Sequence, residues 1–528
     1  MNSISLYPNK AYFHPREQAE VVLSWQGLDF SASTLTYRIF HGENIIYSQT
    51  EDVPDKNSYD GKYNLYFSLP GEHHTGYGMI VTFEDSFGKV LGQASTAFDI
   101  LSDWTVWPRY GFMTNFSPNR NKHEIEHSIN ILSEFHINGL QFYDWQYRHD
   151  EFIAPVEEYS DPLGRKLSLS TVRALIQAAH EKNMAAMPYT AAYAASAEYW
   201  KANPHMAMYD KEGKTIAFGD DFLGIMDPTR GKSWSKHLLQ QFNDLLKKMD
   251  FDGIHIDQYG EPKTGFNAKG EAIDIPKSFV DLISDTHRLI GKPTTLFNAV
   301  GNWPIDYLAT SDVAFPYIEI WPPDMTYKVM VNILSNAKHL SGGKPVVLAQ
   351  YIPAGHPANV ITASTVAMAC GCSRIELGED GRLLSDPYYP KHEELPEELK
   401  RQLKLHYDFW VRFGEWIERT NAVEEISEPM PGILLRMVRG DHGVVINIVN
   451  MPENGLSEKW NIQHKEVQKM EKVTLHLELN HTPTAVYFAT PDEPINGLSI
   501  IAFEYKQGVI KFELPEINHW GLVDIRYE

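Results

Sequence analysis

Between residues 104 and 420 the chain repeats one unit, a short apolar run followed by a helical stretch, until eight such runs have passed. The runs are YGFMTNF (110–116), GLQFYDW (139–145), AAMPYTA (185–191), GIHIDQY (253–259), TTLFNAV (294–300), VAFPYIEIW (313–321), PVVLAQY (345–351) and RIELGED (374–380). Between them, segments such as HEIEHSINILSEFHI and LSTVRALIQAAHEKNM place apolar residues at helical spacing. Strands that alternate with helices run parallel, and a parallel sheet needs cover on both faces. Eight units in about 310 residues therefore predict a (β/α)8 TIM barrel.

The flanks have a different texture. Before residue 104, the runs EVVLSWQG, LTYRIFHG, NIIYSQT, YNLYFSLP, GMIVTFED and STAFDIL are separated by turns every eight to twelve residues, the pattern of an antiparallel sandwich. After about residue 421, GILLRMVRG, HGVVINIVN, KVTLHLEL, AVYFATP, LSIIAFEYKQG and GVIKFELP restore short strands. The expected division is 1–103, a β-sandwich; 104–420, the barrel; and 421–528, a second antiparallel sandwich.

Charge removes several functions. Asp and Glu number 69 against 47 Lys and Arg, a formal charge of −22, and a phosphate backbone needs basic stripes. Nucleic acid is thus excluded as a partner and an anionic membrane surface disfavoured, whereas a neutral substrate is not. No apolar run reaches the ~18 residues of a membrane helix. The start, MNSISLYPNKAYFHPREQ, lacks a basic segment and an apolar segment, so no signal peptide is read; the protein either stays inside the cell or is a trimmed form. Cys370 and Cys372 are one residue apart and read as core fillers, neither a disulfide nor a metal pair. No metal or other cofactor is expected.

A barrel gathers function at the C-terminal ends of its strands. Those ends supply Asn115; Tyr143, Asp144, Trp145, Arg148 and His149; Tyr189 and Tyr193; Asp257, Gln258 and Tyr259; Asn298; Tyr317, Glu319 and Trp321; Gln350 and Tyr351; and Glu376, Glu379 and Asp380. Carboxylates and amides bind hydroxyls, aromatic faces bind sugar rings, and no Gly-rich phosphate loop is present, so the combination suits carbohydrate. Trp145, Trp303 and Trp321 are the candidate stacking platforms.

Cleavage of a glycosidic bond needs one ionised carboxyl and one protonated carboxyl. Asp257 fits the first role, with His255, Gln258 and Tyr259 as donors to its anion. Glu319, between Tyr317 and Trp321, fits the second because apolar neighbours disfavour its charge. Blander readings stand beside these: Asp257 as a turn former or helix cap, Glu319 as an exposed residue on an alternating strand, Asp144 as a structural ion pair with Arg148 and His149, Glu376 and Glu379 as a supporting pair, and Asp220, Asp221 and Asp227 as loop and cap residues.

The segments QFYDWQYRH (141–149), GIHIDQYG (253–260), FNAVGNW (297–303) and YIEIW (317–321) resemble glycoside hydrolase family 66, the dextranases and cycloisomaltooligosaccharide glucanotransferases. The resemblance implies an immunoglobulin-like first sandwich, a Greek-key second sandwich, and retaining action on α-1,6-glucan. It makes Asp257 the nucleophile and Glu319 the acid/base, and maps glucose-binding positions to Tyr143, Asp144, Trp145 and His149; Tyr189, Gln258, Tyr259, Asn298, Trp303, Tyr317, Trp321, Gln350 and Glu379 complete the expected substrate contacts. Members that make cyclic products carry an inserted carbohydrate-binding module, for which the evenly spaced strands leave no room. Endo-hydrolysis of dextran to isomaltooligosaccharides is therefore expected, with transfer to cyclic or longer products as the alternative and non-catalytic glucan binding as a reading of another class. Exported relatives leave the compartment open.

Overall fold

The computed structural model describes residues 3–26, 32–53, 62–289, 291, 294–418, 423–492 and 497–528. The expected boundary at 420/421 lies outside them, as does Gly27 at the end of the first predicted run.

All eight central runs form strands, each shorter than or equal to its apolar run. Strand one is Tyr110–Met113, two Gly139–Phe142, three Ala185–Ala191, four Gly253–Asp257, five Thr294–Val300, six Tyr317–Glu319, seven Val347–Ala349 and eight Ser373–Ile375. They pair in parallel and in chain order. One residue after strand eight, Leu377–Gly378 pairs with strand one through Gly378 and Phe112. The sheet therefore curls until its two ends meet on one stretch of chain, a TIM-like arrangement. Helices cover its outer face; the 122–134 helix begins with a capping box in which Asn121 and Glu124 satisfy each other's backbone N–H groups. Close strand approach decides Gly253, where a Cβ would lie 2.0 Å from the Thr294 carbonyl oxygen.

Separate antiparallel sheets lie to either side in sequence. One has four strands (Asn44–Asp52, Ala32–His41, His74–Asp85, Val90–Leu101) and a second has three (Ser3–Pro8, Ala19–Gln26, Tyr63–Phe67). Ser3–Pro8 is a strand that alternation did not reveal, because it is only six residues long and holds just two aliphatic side chains. Sheets of six and three strands follow residue 423. The first flank is tied to the central domain by a buried ion pair: Arg109, before strand one, donates from Nη1 and Nη2 to Asp99 at 2.7 and 3.1 Å. Both side chains are fully buried, and the guanidinium also donates to the carbonyls of His136 and Ala11.

Inside the curled sheet sit Tyr110, His255 and Tyr317, with Phe315 alongside. His255 Nδ1 is 2.9 Å from the Tyr110 hydroxyl, and burial holds the imidazole neutral, pushing it down to about 3. His255 thus faces the interior and does not serve Asp257, contrary to expectation: the two share a face of strand four, but His255 lies one full pleat repeat below the strand end, where its ring bonds Tyr110 instead.

Candidate active site

Three adjacent strands bring the two predicted carboxyls together through one amide. Asp257 closes strand four, Glu319 closes strand six, and Asn298 stands on strand five between them. Asn298 Nδ2 donates to Asp257 Oδ1 at 2.8 Å and to Glu319 Oε2 at 2.9 Å. An amide nitrogen carries two hydrogens, so both are used. The outer oxygens are held from the flanking strands: Tyr189 Oη donates to Asp257 Oδ2 at 2.8 Å, and Tyr351 Oη to Glu319 Oε1 at 2.5 Å. The order Tyr189, Asp257, Asn298, Glu319, Tyr351 follows strands three to seven, a constellation a parallel sheet produces because neighbouring strand ends lie side by side.

Burial pushes the Asp257 carboxyl up to about 7; the nearby Glu319 charge adds to this, and the Tyr189 and Asn298 bonds oppose it. Burial also raises Glu319, against the bonds from Tyr351 and Asn298. Two carboxyls this close do not both ionise freely and titrate as a pair. Burial thus acts on Glu319 in the direction read from its apolar neighbours. Asp257, read as the ionised partner, is more basic than expected, since its half-buried strand end lies beside Glu319 within the cleft.

Tyr143, Asp144, His149, Tyr189, Gln258, Tyr259 and Trp321 join the pair in lining one cleft of about 690 Å³. Tyr143 stacks on Tyr389 with ring centres 4.2 Å apart. Asp144 takes a left-handed backbone, φ +51°, and burial pushes its carboxyl up to about 7 against the opposing charge of Arg165. Arg165, 3.9 Å away, is its cationic neighbour; Arg148 instead lies over the Tyr147 ring. Burial and Arg148 drive His149 down to about 4, so its ring is neutral.

Other predicted contacts fall beneath the cleft. Trp145 is fully buried against Phe251 and belongs to the core; the turn at Asp144 directs the next side chain inward. Tyr317 is buried and shares a hydroxyl bond with Tyr389. Gln350 is fully buried, with Nε2 3.8 Å from Met330 Sδ. Trp303 packs edge-on to Phe279, with the Lys263 ammonium 5.7 Å from its ring centre. Gln258, although at the wall, spends its amide on the Asn298 and Trp303 carbonyls and on the Gly260 N–H. Glu379 is buried, which favours its neutral form, but His392, Thr114 and the N–H groups of Asn115 and Thr114 outweigh this and hold it below the usual range. It fastens strand one to the segment after strand eight. Glu376 likewise pairs with Arg374 at 3.0 Å and accepts from Tyr407 at 2.9 Å.

The wall also has members that the strand ends do not contain: Leu163 after strand two, Phe218 and Phe222 after strand three, and Tyr388 after strand eight. They lie on long connections, where position relative to the cleft depends on loop path. Asp220 and Asp221 sit in one of these, at a hairpin turn, both with positive φ.

Paired carboxyls at strand ends, Glu319 buried and Asp257 half-buried, under aromatic walls, are the equipment of a glycosidase-type enzyme. Residues 8–524 match the model of glycosyl hydrolase family 66, and the chain belongs to that family. A cycloisomaltooligosaccharide glucanotransferase from Niallia circulans is 27% identical over 379 residues, 66% of this chain and 38% of the relative. A dextranase from Streptococcus salivarius is 25% identical over 279 residues, 47% of this chain and 34% of that one. The chain thus aligns with well under half the length of these curated relatives. A solved cycloisomaltooligosaccharide glucanotransferase from Paenibacillus sp., complexed with cycloisomaltoheptaose, superimposes with a TM-score of 0.89 at 20% identity, covering 98% of this chain and 99% of that one.

Proposed function

We propose that the protein is a retaining, endo-acting dextranase that cleaves internal α-1,6-glucosidic bonds to give isomaltooligosaccharides. The same reading takes the chain as 1–103, an immunoglobulin-like sandwich; 104–420, a closed catalytic (β/α)8 barrel; and 421–528, a Greek-key sandwich.

The observation that carries the mechanism is the shared Asn298 amide. Its two bonds, 2.8 and 2.9 Å, keep one Asp257 oxygen and one Glu319 oxygen no more than about 5.7 Å apart, which supports the close approach of two carboxyls that a retaining enzyme uses. Asp257 attacks the anomeric carbon while Glu319 passes its proton to the departing O6. Glu319, now ionised, takes a proton from water, and the hydroxide opens the glucosyl ester with a second inversion. Once Asp257 is esterified no second negative charge stands opposite Glu319 as it ionises, which suits the switch from acid to base.

Incubation with dextran, pullulan and starch tests the reading: only dextran loses viscosity, and the reducing ends released carry the α configuration at first. A β product overturns retention; no loss of dextran viscosity overturns the substrate. Transfer to a sugar hydroxyl is the second reading, favoured by the sequence likeness to a glucanotransferase over 66% of the chain. Cyclic products, which lack a reducing end, identify it. Asp257→Ala abolishes turnover under either acceptor, and retention of a tenth of wild-type rate removes Asp257 from the nucleophile's role.

A further inference from the structure

Within the long connection between strands three and four, Ala217–Phe218 and Leu223–Ile225 pair as a hairpin. Its tip turns through Gly219, Asp220 and Asp221, whose φ values are +62°, +52° and +63°. Two consecutive Asp residues in the left-handed region are a costly choice that persists only where the surroundings impose it. The base is clamped: a Cβ on Gly224 would lie 1.8 Å from the Trp200 ring, and Leu223 packs with Ala191, Ala194 and Tyr259. A strained tip on a fixed base holds the side chains between them in place.

Those side chains are Phe218 and Phe222, 46% and 37% exposed, and both line the cleft. The Phe218 ring lies nearly parallel to that of Tyr259, with centres 4.6 Å apart at 20°. One face is therefore occupied, and an apolar ring this exposed presents the other outward. Tyr259 adjoins Asp257, two residues earlier at the end of strand four, so Phe218 is one aromatic layer further from the reacting carboxyls. A flat, apolar, uncharged surface held at that place fits the C–H face of a pyranose in a neutral glucan.

Resting on the proposed function, we infer that the 217–223 hairpin is a separate sugar subsite, in which Phe218, backed by Tyr259, stacks a glucosyl unit beyond the one under attack and sets how strongly the enzyme favours longer chains. The hairpin belongs to no strand end, so its contribution adds to the carboxyl chemistry without entering it.

The test compares kcat/KM along a ladder from isomaltotriose to isomaltoheptaose for wild type, Phe218→Ala, Phe218→Leu and Phe218→Tyr. The expected result is that the ratio of the longest to the shortest substrate falls about tenfold or more in the Ala and Leu variants, while Tyr retains it. Leu keeps apolar bulk for the hairpin but has no flat face, so a ladder that Leu preserves overturns stacking. A uniform loss along the ladder, or no change in Ala, overturns the subsite as well. The wild-type arm separates this from the function it rests on: no cleavage at any length refutes the α-1,6-glucanase reading, whereas cleavage with equal ladders in wild type and Ala refutes the platform alone.

Discussion

Replacing Asn298 by alanine removes the donor shared by both carboxyls and nothing else charged. Asn298 is 6% exposed, and its two bonds of 2.8 and 2.9 Å go to groups that carry charge during the cycle. A hydrogen bond to a charged group is worth ~1.5–3 kcal/mol, and in the transition state Asp257 is partly esterified, so about one such bond is lost there. That corresponds to a fall in kcat/KM of roughly 10- to 150-fold. The sign of the pH effect follows separately. Each bond favours an anion, so its loss raises both carboxyls further, and both limbs of the bell-shaped profile move to higher pH. Initial rates on dextran across the pH range, with the thermal midpoint as a check on folding, measure this. A change below threefold at the optimum, or limbs that move downward, refutes the idea that one amide links the pair.

The remaining tests address other parts of the assembly. Glu319→Gln removes the proton donor, so dextran turnover falls by at least ~10²-fold while a substrate whose leaving group needs no proton is cleaved far better; equal losses on both assign Glu319 a structural role. Tyr351→Phe deletes the 2.5 Å donor to Glu319, which raises that carboxyl and shifts the alkaline limb of kcat upward; an unmoved limb shows that the hydroxyl does not tune it. Asp99→Asn leaves the buried Arg109 guanidinium poorly paired, and chemical denaturation gives a loss of ~3–5 kcal/mol, with the double variant Asp99→Leu/Arg109→Met less destabilised than either single change. Additive losses rule out coupling of the pair.

Sequence pattern located the strands because burial on both faces forces continuous apolar runs; seven central runs contain the strand observed, and the eighth strand begins one residue earlier, at Ser373. It located Asp257 and Glu319 because a carboxyl at the end of such a run has no packing purpose. It overextended where position was taken as orientation. Trp145, Tyr317, Gln350 and Glu379 lie at strand ends like the others, yet they turn beneath the cleft. His255 and Gln258 flank Asp257 in sequence but bond elsewhere, while its donors Tyr189 and Asn298 arrive from neighbouring strands.

What the sequence alone determined is the number and order of the parallel strands and the residue types at their ends, since these depend on periodicity and local chemistry. Tertiary structure decided which side chains share a hydrogen, which ring faces open space, and which loops form the wall. Strand alternation selects inward or outward only once register is set, and register comes from pairing between strands that are tens of residues apart. The Asn298 bridge and the Phe218 platform are products of that pairing: the first joins three adjacent strand ends, and the second depends on a hairpin clamped by Trp200 within its own loop.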